Sequence, residues 1–147
     1  MGSVEAKKIL FLCTGNSCRS QMAEGWARAL LGEGVRAFSA GVESHGLDPR
    51  AVRAMAEAGV DISAARSKTL DELPEGDFDL VVTVCDRARE SCPAFGGRTR
   101  TLHRSFDDPP ALVREMGLEG EKALEVYRRV RDEIRRFVEG LKEELDH

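Results

Sequence analysis

Two short apolar runs limit the possible folds of this chain more than any other feature of the sequence. They are Lys8–Cys13 (KILFLC) and Phe78–Cys85 (FDLVVTVC). An almost continuous apolar run of this length is typical of a strand that is buried on both faces, as in a parallel sheet. Parallel neighbours need a helical crossover between them, and such crossovers are right-handed. The two runs therefore predict an α/β domain in which the cysteines that end them, Cys13 and Cys85, reach the same edge of the sheet.

Weaker strands and four helical segments complete this pattern. The two further strands are expected at Val35–Ala40 and Thr99–His103. Segments with helical spacing or helix-start signals are Ser20–Leu31, Pro49–Ala58 behind the Asp48 cap, Asp86–Ser91 and Glu121–Leu145. We expect one three-layer αβα domain over residues 1–147, built on a central four-stranded parallel sheet.

The charge and hydropathy of the chain argue against several classes of partner. The net charge of −4 disfavours nucleic acid and anionic membrane surfaces. No stretch approaches the roughly 20 apolar residues that span a bilayer, and the N-terminal MGSVEAKK leads directly into a strand rather than a signal peptide. We therefore expect a cytoplasmic monomer, whose four cysteines are thiols, redox catalysts or metal ligands rather than structural disulfides.

The loop CTGNSCR, from Cys13 to Arg19, lies between the first strand and the first helix and carries the strongest functional signal. Backbone N–H groups at a helix N-terminus lack partners, and together with the helix dipole they bind anions. Gly15 lets the loop curl, and the Arg19 guanidinium suits two oxygens of a tetrahedral oxyanion. The same donors favour the thiolate of Cys13, to which the Ser20 hydroxyl adds one more hydrogen bond, so that Cys13 is the expected nucleophile. The expected oxyanion-binding residues are Thr14, Gly15, Asn16, Ser17, Cys18 and Arg19.

Two other interpretations of this loop remain open. The first is a buried cysteine followed by an ordinary polar turn. The second is a zinc site, because Cys13 and Cys18 have C-x4-C spacing, although no second close pair accompanies them, since Cys85 and Cys92 are separated as C-x6-C. The glycine patterns of Walker and dinucleotide sites are absent from the sequence. We expect neither a metal ion nor a cofactor.

Four separated motifs carry a resemblance to a known family: CTGNSCRSQMAEGWA, SAGVESHGLDP, DLVVTVCDRARESCP and FDDPP. In this order, from about Ile9 to Val138, the chain resembles the thioredoxin-coupled arsenate reductases, which share their fold with the low-molecular-weight protein tyrosine phosphatases. The resemblance implies that Cys13 is the nucleophile and that Ser20 stabilises its thiolate. It also implies that Arg19 and the loop before it bind the oxyanion.

The resemblance assigns further roles outside the loop. Asp108, the aspartate directly before Pro109, matches the general acid that protonates the leaving oxygen. Cys85 and Cys92 match two cysteines of a redox relay, with arsenate as substrate, arsenite as product and thioredoxin as reductant. In that relay Cys13 attacks arsenate, Cys85 attacks the Cys13 sulfur, and Cys92 then attacks Cys85.

The expected helix between the two relay cysteines sets a geometric condition. A seven-residue separation at about 1.5 Å rise would place the Cα atoms of Cys85 and Cys92 roughly 10 Å apart. A disulfide requires about 4.4–6.8 Å between Cα atoms. We therefore expect the segment to loosen when the two cysteines join, and to be exposed to thioredoxin in its oxidised form.

Two alternative functions remain. A low-molecular-weight phosphatase would hydrolyse phosphate monoesters through a phosphocysteine at Cys13, and weak phosphatase activity is expected even of a reductase because the loop chemistry is shared. Such phosphatases usually carry tyrosines after the Asp-Pro pair, whereas this chain has Pro110 and Ala111. A redox sensor would form the disulfide, or bind the oxyanion, without turnover.

One departure from the family pattern concerns potassium. Some relatives bind a potassium ion beside the loop through residues that match Asn16, Glu24, Ser39 and a carboxylate. Lys68 stands at the carboxylate position in this chain. We expect its ammonium to take the place of the cation and to pair with Glu24, so that potassium activates the protein little.

Overall fold

The computed structural model describes residues 6–73, 77–93, 95 and 98–145. Its elements are β1 (Lys7–Cys13), α1 (Arg19–Leu30), β2 (Val35–Gly41), α2 (Pro49–Glu57), β3 (Leu80–Thr83), α3 (Asp86–Ser91), β4 (Arg100–His103), α4 (Pro109–Met116) and α5 (Gly120–Leu145). A short 3₁₀ turn, Leu70–Glu72, lies between α2 and β3. All strand pairs are parallel, in the order β2-β1-β3-β4. The predicted α/β fold on a four-stranded parallel sheet is confirmed.

β1 lies inside the sheet, hydrogen-bonded to β2 on one side and to β3 on the other. Its residues 9–13 and all four residues of β3 are buried. Both faces of these strands are covered, as their unbroken apolar character predicts. Cys13 pairs with Gly41 at the carboxyl end of β1, and this is the edge at which sheets of this kind bind ligands.

The strand expected at Phe78–Cys85 is shorter than the apolar run that predicts it. β3 ends two residues before the run does, and Val84 extends the pairing only by donating its N–H to the Leu12 carbonyl (2.8 Å). Cys85 has turned out of the sheet and caps α3, where its sulfur accepts from the Ala88 N–H (3.4 Å). The apolar run extends beyond the strand because Val84 and Cys85, which follow β3, are buried as well.

α5 forms the largest part of the helical cover and packs against α1, α2 and α4. Its buried residues recur at helical spacing and form one apolar stripe: Ala123, Leu124, Tyr127, Val130, Ile134, Val138, Leu141 and Leu145. α3 packs instead on β1 and β3, so it stands apart from the α1–α2–α4–α5 cluster. None of the described helices is both long enough and apolar enough to cross a membrane.

α4 is a helix that the patterns above do not predict, although its start carries recognisable signals. Asp108 occupies the N-cap, and Pro109 and Pro110 lie in the first turn, where a proline ring suits the helix. Gly117 ends the helix in the left-handed conformation (φ 63°). The Asp-Pro-Pro sequence is therefore a helix N-terminus, and α4 fixes the backbone of Asp108.

The predicted Asp48 cap of α2 is confirmed, and it also joins three parts of the fold. Its carboxylate accepts from the Arg50 N–H (2.9 Å) and from the Tyr127 hydroxyl on α5 (2.5 Å). Burial, followed by this hydrogen bond, raises the pKa of Tyr127, so the phenol remains the donor. The Asp48 N–H donates to the Ser17 carbonyl in the loop after β1 (2.9 Å). The loop is thereby anchored to both α2 and α5.

Candidate active site

Cys13 ends β1, and its sulfur lies at the base of the loop formed by residues 14–18. The residue is 3% exposed, and its Sγ lies 2.8 Å from Ser20 Oγ in the first turn of α1. The Ser20 oxygen accepts a hydrogen from Asn16 Nδ2 (2.8 Å), which leaves its own hydroxyl hydrogen for the sulfur. A hydrogen bond donated to sulfur favours the thiolate. The contact expected of Ser20 is therefore present.

Asn16 braces the loop from inside. It is fully buried and adopts a left-handed conformation (φ 48°), which is uncommon for a residue with a side chain. Its Nδ2 donates to Ser20 (2.8 Å) and Ser39 (2.9 Å), and its Oδ1 accepts from the Lys68 N–H (2.9 Å) and from Gln21 Nε2 (3.0 Å). The side chain uses both donor hydrogens and both acceptor lone pairs, and this compensates the strain of the backbone.

A buried carboxylate extends this network. Ser39 donates to Glu24 Oε1 (2.6 Å), and Glu24 Oε2 pairs with Arg28 (2.9 Å) one turn along α1. Lys68 Nζ donates to the Arg66 carbonyl (3.1 Å). The direct ion pair expected between Lys68 and Glu24 is therefore not formed, because Arg28 takes the carboxylate. Burial lowers the pKa of Lys68, and the charge of Glu24 opposes that shift.

The loop presents its N–H groups because its carbonyls are used elsewhere. Four N–H groups donate to loop carbonyls at 2.9–3.1 Å, namely Val42 to Cys13, Glu43 to Thr14, His45 to Gly15 and Asp48 to Ser17. Within the described chain, the N–H groups of residues 14–18 make no hydrogen bond to a protein acceptor. The approach of the two segments requires glycine, since a Cβ on Gly41 would lie 2.7 Å from the Asn16 nitrogen. The free amides form a nest suited to an oxyanion.

Arg19 and Asp108 line the same cavity as the loop residues. Arg19 is buried; its Nη1 donates to the Phe106 carbonyl (3.1 Å), and its Nη2 lies 3.6 Å from Asp108 Oδ2. The Asp108 side chain is 43% exposed, so it stands at the rim of the site. Asp107 turns away and pairs with Arg129 (3.1 Å). The geometry therefore separates two neighbouring aspartates, of which Asp108 faces the loop.

The loop opens into a cavity of about 300 Å³. Its walls come from the loop, α4 and one histidine: Cys13, Thr14, Gly15, Ser17, Cys18, Arg19, His45, Asp108, Pro110 and Arg114. Two larger cavities, of about 400 Å³ each, lie elsewhere and contain neither the nucleophile nor the free amides. Chemistry rather than size therefore identifies the site.

Three residues of this cavity, His45, Pro110 and Arg114, do not belong to the site predicted from the sequence. His45 packs directly over Gly15, since a Cβ added to Gly15 would lie 2.3 Å from His45 Nδ1. No local sequence signal marks His45, because its place follows from the backbone hydrogen bond to Gly15. Arg114 reaches the cavity on α4, so recognising that helix from its Asp-Pro-Pro start would have drawn attention to it.

A second thiol, Cys85, lies beside the loop. It is buried, and its Sγ lies 3.3 Å from Oγ1 of Thr14, the residue after Cys13. Because its sulfur also accepts from the Ala88 N–H (3.4 Å), the positive end of α3 faces it. As expected, β1 and β3 bring Cys13 and Cys85 to the same edge of the sheet.

The other two cysteines are Cys18, inside the loop, and Cys92, after α3; all four cysteines are free thiols. Cys92 follows the predicted helix Asp86–Ser91, which is confirmed, so the helix separates it from Cys85 by roughly 10 Å along the axis. Burial raises the pKa of Cys92. Burial, followed by the charge of Asp48, raises the pKa of Cys18 well above its ordinary value, which keeps Cys18 a neutral thiol.

Metal ligands do not gather around the loop in the described part of the chain. Residues 6–73, 77–93, 95 and 98–145 contain no group of three or more His, Cys, Asp or Glu side chains able to hold a metal ion. Cys13 and Cys18 have zinc-like spacing, but a structural zinc site takes four ligands. The chemistry of the described residues is that of thiols and an oxyanion pocket.

A buried thiol, a ring of free amides and a following arginine define a class of enzyme that attacks tetrahedral oxyanions through cysteine. The chain belongs to the low molecular weight phosphotyrosine protein phosphatase family, which it matches over residues 8–147.

Individual relatives carry more specific names. The arsenate reductase of Bacillus subtilis (strain 168) is 50% identical over 131 residues, which cover 89% of this chain and 91% of that protein. The arsenate reductase of Staphylococcus aureus (strain N315) is 43% identical over 139 residues, 95% of this chain and 98% of that protein.

Solved structures give the same result. An arsenate reductase in its oxidized state has a TM-score of 0.78 at 32% identity and covers 95% of this chain and 98% of its own. The low molecular weight protein tyrosine phosphatase from T. tengcongensis has a TM-score of 0.73 at 32% identity, with 95% and 99% covered. The resemblance drawn from the sequence motifs is confirmed.

Proposed function

We propose that this protein is a cytoplasmic enzyme that reduces arsenate to arsenite, with Cys13 as nucleophile and thioredoxin as the source of electrons. One observation carries the proposal: a second buried thiol, Cys85, lies 3.3 Å from Thr14 Oγ1 at the edge of the oxyanion nest. Ester hydrolysis needs no second thiol, whereas reduction does. The names of relatives that match 89% and 95% of this chain support arsenate as the substrate.

The first step forms a covalent adduct. Arsenate is held by the loop amides and by Arg19, and the Cys13 thiolate attacks the arsenic atom. An S–As bond forms while an As–O bond breaks. Asp108 donates its proton to the departing hydroxyl, which leaves as water.

The second step is the reduction. Cys85, as thiolate, attacks the Cys13 sulfur, so that an S–S bond forms and the S–As bond breaks. The electron pair of that bond stays on arsenic, which leaves as arsenite, while the two sulfurs are oxidised to a disulfide. The Cys85 sulfur is positioned for this attack by the Ala88 N–H, which donates to it (3.4 Å), and by the Thr14 hydroxyl, which lies 3.3 Å away.

The third step frees the nucleophile. Cys92, as thiolate, attacks the Cys85 sulfur, and the Cys13 thiolate departs. The new disulfide needs its Cα atoms within about 4.4–6.8 Å, so α3 loosens in this step. The exposed surface of α3 supports reduction of the Cys85–Cys92 disulfide by the dithiol of thioredoxin, which becomes oxidised in turn.

The test is a coupled assay with arsenate, thioredoxin, thioredoxin reductase and NADPH, applied to the wild type, Cys85→Ser and Cys92→Ser. We expect sustained NADPH loss only in the wild type. Cys92→Ser retains the first two steps and should release about one equivalent of arsenite per protein, whereas Cys85→Ser should release none. Sustained turnover in either variant would overturn the relay.

A phosphatase is the second candidate function. The oxyanion cavity favours it, because a phosphate monoester fits the same nest, nucleophile and acid. Among the described residues, no Phe, Tyr or Trp side chain lines that cavity, and this favours small oxyanions over phosphotyrosine. A phosphatase would hydrolyse a phenyl phosphate at the wild-type rate in Cys85→Ser and Cys92→Ser alike. We expect at most weak hydrolysis in all three proteins.

A further inference from the structure

The first turn of α3 is tied to the rim of the active site through a bridging carboxylate. Arg87 Nη2 lies 2.6 Å from Glu43 Oε1, and the other oxygen of that carboxylate lies 2.6 Å from His45 Nε2. The His45 side chain packs over Gly15, and the His45 backbone N–H donates to the Gly15 carbonyl (2.9 Å). Hydrogen bonds from His45 and Arg87 lower the pKa of Glu43, so the bridge stays charged. These three residues, Arg87, Glu43 and His45, are called the Glu43 link.

A second set of contacts ties the same turn to the sheet. Asp86 Oδ1 lies 3.1 Å from His103 Nε2, and His103 Nδ1 lies 2.7 Å from Thr83 Oγ1. Thr83 and His103 are register partners at the ends of β3 and β4. Asp86 directly follows Cys85, so this set, called the His103 link, acts one residue from the relay thiol.

The second half of α3 is held more weakly. Arg89, Glu90 and Ser91 are exposed, and among the described residues no side-chain hydrogen bond or ion pair holds them. The last backbone bond, from the Cys92 N–H to the Arg89 carbonyl, is long at 3.4 Å. Cavities of about 160 and 400 Å³ both reach Cys92, one beside β1 and the other beside β4. A helix end flanked by empty space opens more readily than a packed one.

We propose that the Glu43 link and the His103 link are positioning devices for the thiol relay. They hold the first turn of α3, and with it Cys85, against the Cys13 loop. The second half of the helix remains free to unwind and to carry Cys92 towards Cys85. This inference rests on the proposed function and divides one six-residue helix into a fixed part and a moving part.

Each part serves a different sulfur attack. The fixed part serves the attack of Cys85 on Cys13, in which the S–S bond forms, the S–As bond breaks and the electron pair goes to arsenic. That attack needs the entering sulfur in line with the S–As bond, so small displacements slow it strongly. The moving part serves the attack of Cys92 on Cys85, which releases the Cys13 thiolate. This attack requires the Cα atoms of Cys92 and Cys85 to move much closer together.

The test measures the first attack alone. Cys92→Ser protein, fully reduced, is mixed with arsenate, quenched in acid at increasing times, alkylated and analysed for the Cys13–Cys85 disulfide by mass spectrometry. In this background Arg87→Ala and Asp86→Ala should each slow disulfide formation about threefold, and the double change about tenfold. The two changes remove charges of opposite sign, a negative one at Asp86 and a positive one at Arg87, so slowing by both reports the position of Cys85 rather than the local charge.

Matched variants separate positioning from general damage. Arg87→Lys keeps the ion pair and should restore most of the rate. Arg89→Ala changes the same residue type in the moving part and should leave the first attack unchanged. Binding of inorganic phosphate, measured by calorimetry, should be the same in all variants because the loop is intact. Equal rates in all variants, or equal slowing by Arg87→Ala and Arg89→Ala, would overturn the inference.

Hydrogen exchange tests the links without the reaction. In the reduced protein the Arg89 N–H, bonded to the Cys85 carbonyl (3.1 Å), should exchange more slowly than the Cys92 N–H, and Arg87→Ala should remove the difference. If exchange shows this and no Cys13–Cys85 disulfide forms even in the parent protein, the proposed function has failed while the links stand. If the disulfide forms and exchange is unaffected by the changes, the links have failed.

Discussion

The Cys13 loop and α3 lie side by side but are built in opposite ways. The side chain of Asn16 is fully buried and uses every donor and acceptor it has. α3 has six residues, most of them exposed, and is held at its first turn by partly exposed ion pairs. In the mechanism that we propose, the loop keeps a thiolate and an oxyanion in fixed places. The C-terminal end of α3 allows Cys92, the residue that follows the helix, to change place.

The energetic scale of the contacts differs accordingly. Leaving a buried donor or acceptor unpaired costs about 1–3 kcal/mol, whereas an exposed ion pair contributes roughly 0–1 kcal/mol. Changes in the loop should therefore appear in the free energy of unfolding. Changes in α3 should appear mainly in the rates of the thiol steps.

The largest expected effect is the replacement of the loop brace. Asn16→Ala leaves the Lys68 N–H without its acceptor, removes the hydrogen that orients Ser20 and places alanine in a left-handed conformation. We expect the free energy of unfolding to fall by about 3 kcal/mol in urea denaturation. Arg87→Ala, the comparison variant in α3, should change it by less than about 1 kcal/mol. Similar losses in both proteins would remove the contrast between the regions.

The next largest effect concerns the two aspartates before α4. Asp108→Asn removes the proposed proton donor, and adduct formation should slow by about 100-fold. Asp107 pairs with Arg129 away from the cavity, so Asp107→Asn should leave that rate within about twofold. Rapid-quench measurement of arsenite release in Cys92→Ser protein gives both rates. A slow Asp107→Asn with a normal Asp108→Asn would reverse the assignment.

The pH dependence should show whether the thiolate of Cys92 limits the last thiol step. Burial raises the pKa of Cys92, so at neutral pH this residue is a thiol, and its reactive thiolate becomes more abundant as the pH rises. Formation of the Cys85–Cys92 disulfide should therefore accelerate by about tenfold per pH unit below that pKa. Disulfide mapping of quenched wild-type protein across the pH range measures this. A flat profile for the Cys92 step would mean that helix opening, not the thiolate, limits it.

The smallest expected effect is that of potassium. The polar atoms inside the loop are already paired with protein groups, and Glu24 is neutralised by Arg28. Exchanging sodium for potassium at constant ionic strength should change the steady-state rate by less than about twofold. A several-fold gain would show that Lys68 leaves room for the ion.

The sequence predicts the fold and the loop well, because both depend on local signals. Unbroken apolar runs identify β1 and β3, and a cysteine between a strand and a helix identifies the anion nest. His45 is not predicted, since its place over Gly15 depends on backbone pairing between segments distant in sequence. The sheet edge shared by Cys13 and Cys85 is predicted, but the specific contact between Thr14 and Cys85, which joins residues 71 positions apart, is not.

Two shortfalls have different causes. α4 carries a readable start, Asp108 followed by two prolines, and these residues indicate a helix N-terminus as well as matching a family motif. The expected Lys68–Glu24 pair fails because Arg28, one helical turn from Glu24, competes for the same carboxylate. Competition between partners is set by side-chain packing, which a residue pattern does not contain.

The most direct test of the account is the identity of the disulfide that arsenate creates when the relay is stopped after its second step. Reduced Cys92→Ser protein, treated with arsenate without oxygen and mapped by mass spectrometry, should contain a Cys13–Cys85 disulfide together with about one equivalent of arsenite. Arsenite release with Cys13 and Cys85 still reduced, or a disulfide that joins Cys13 to Cys18 instead, would contradict the account.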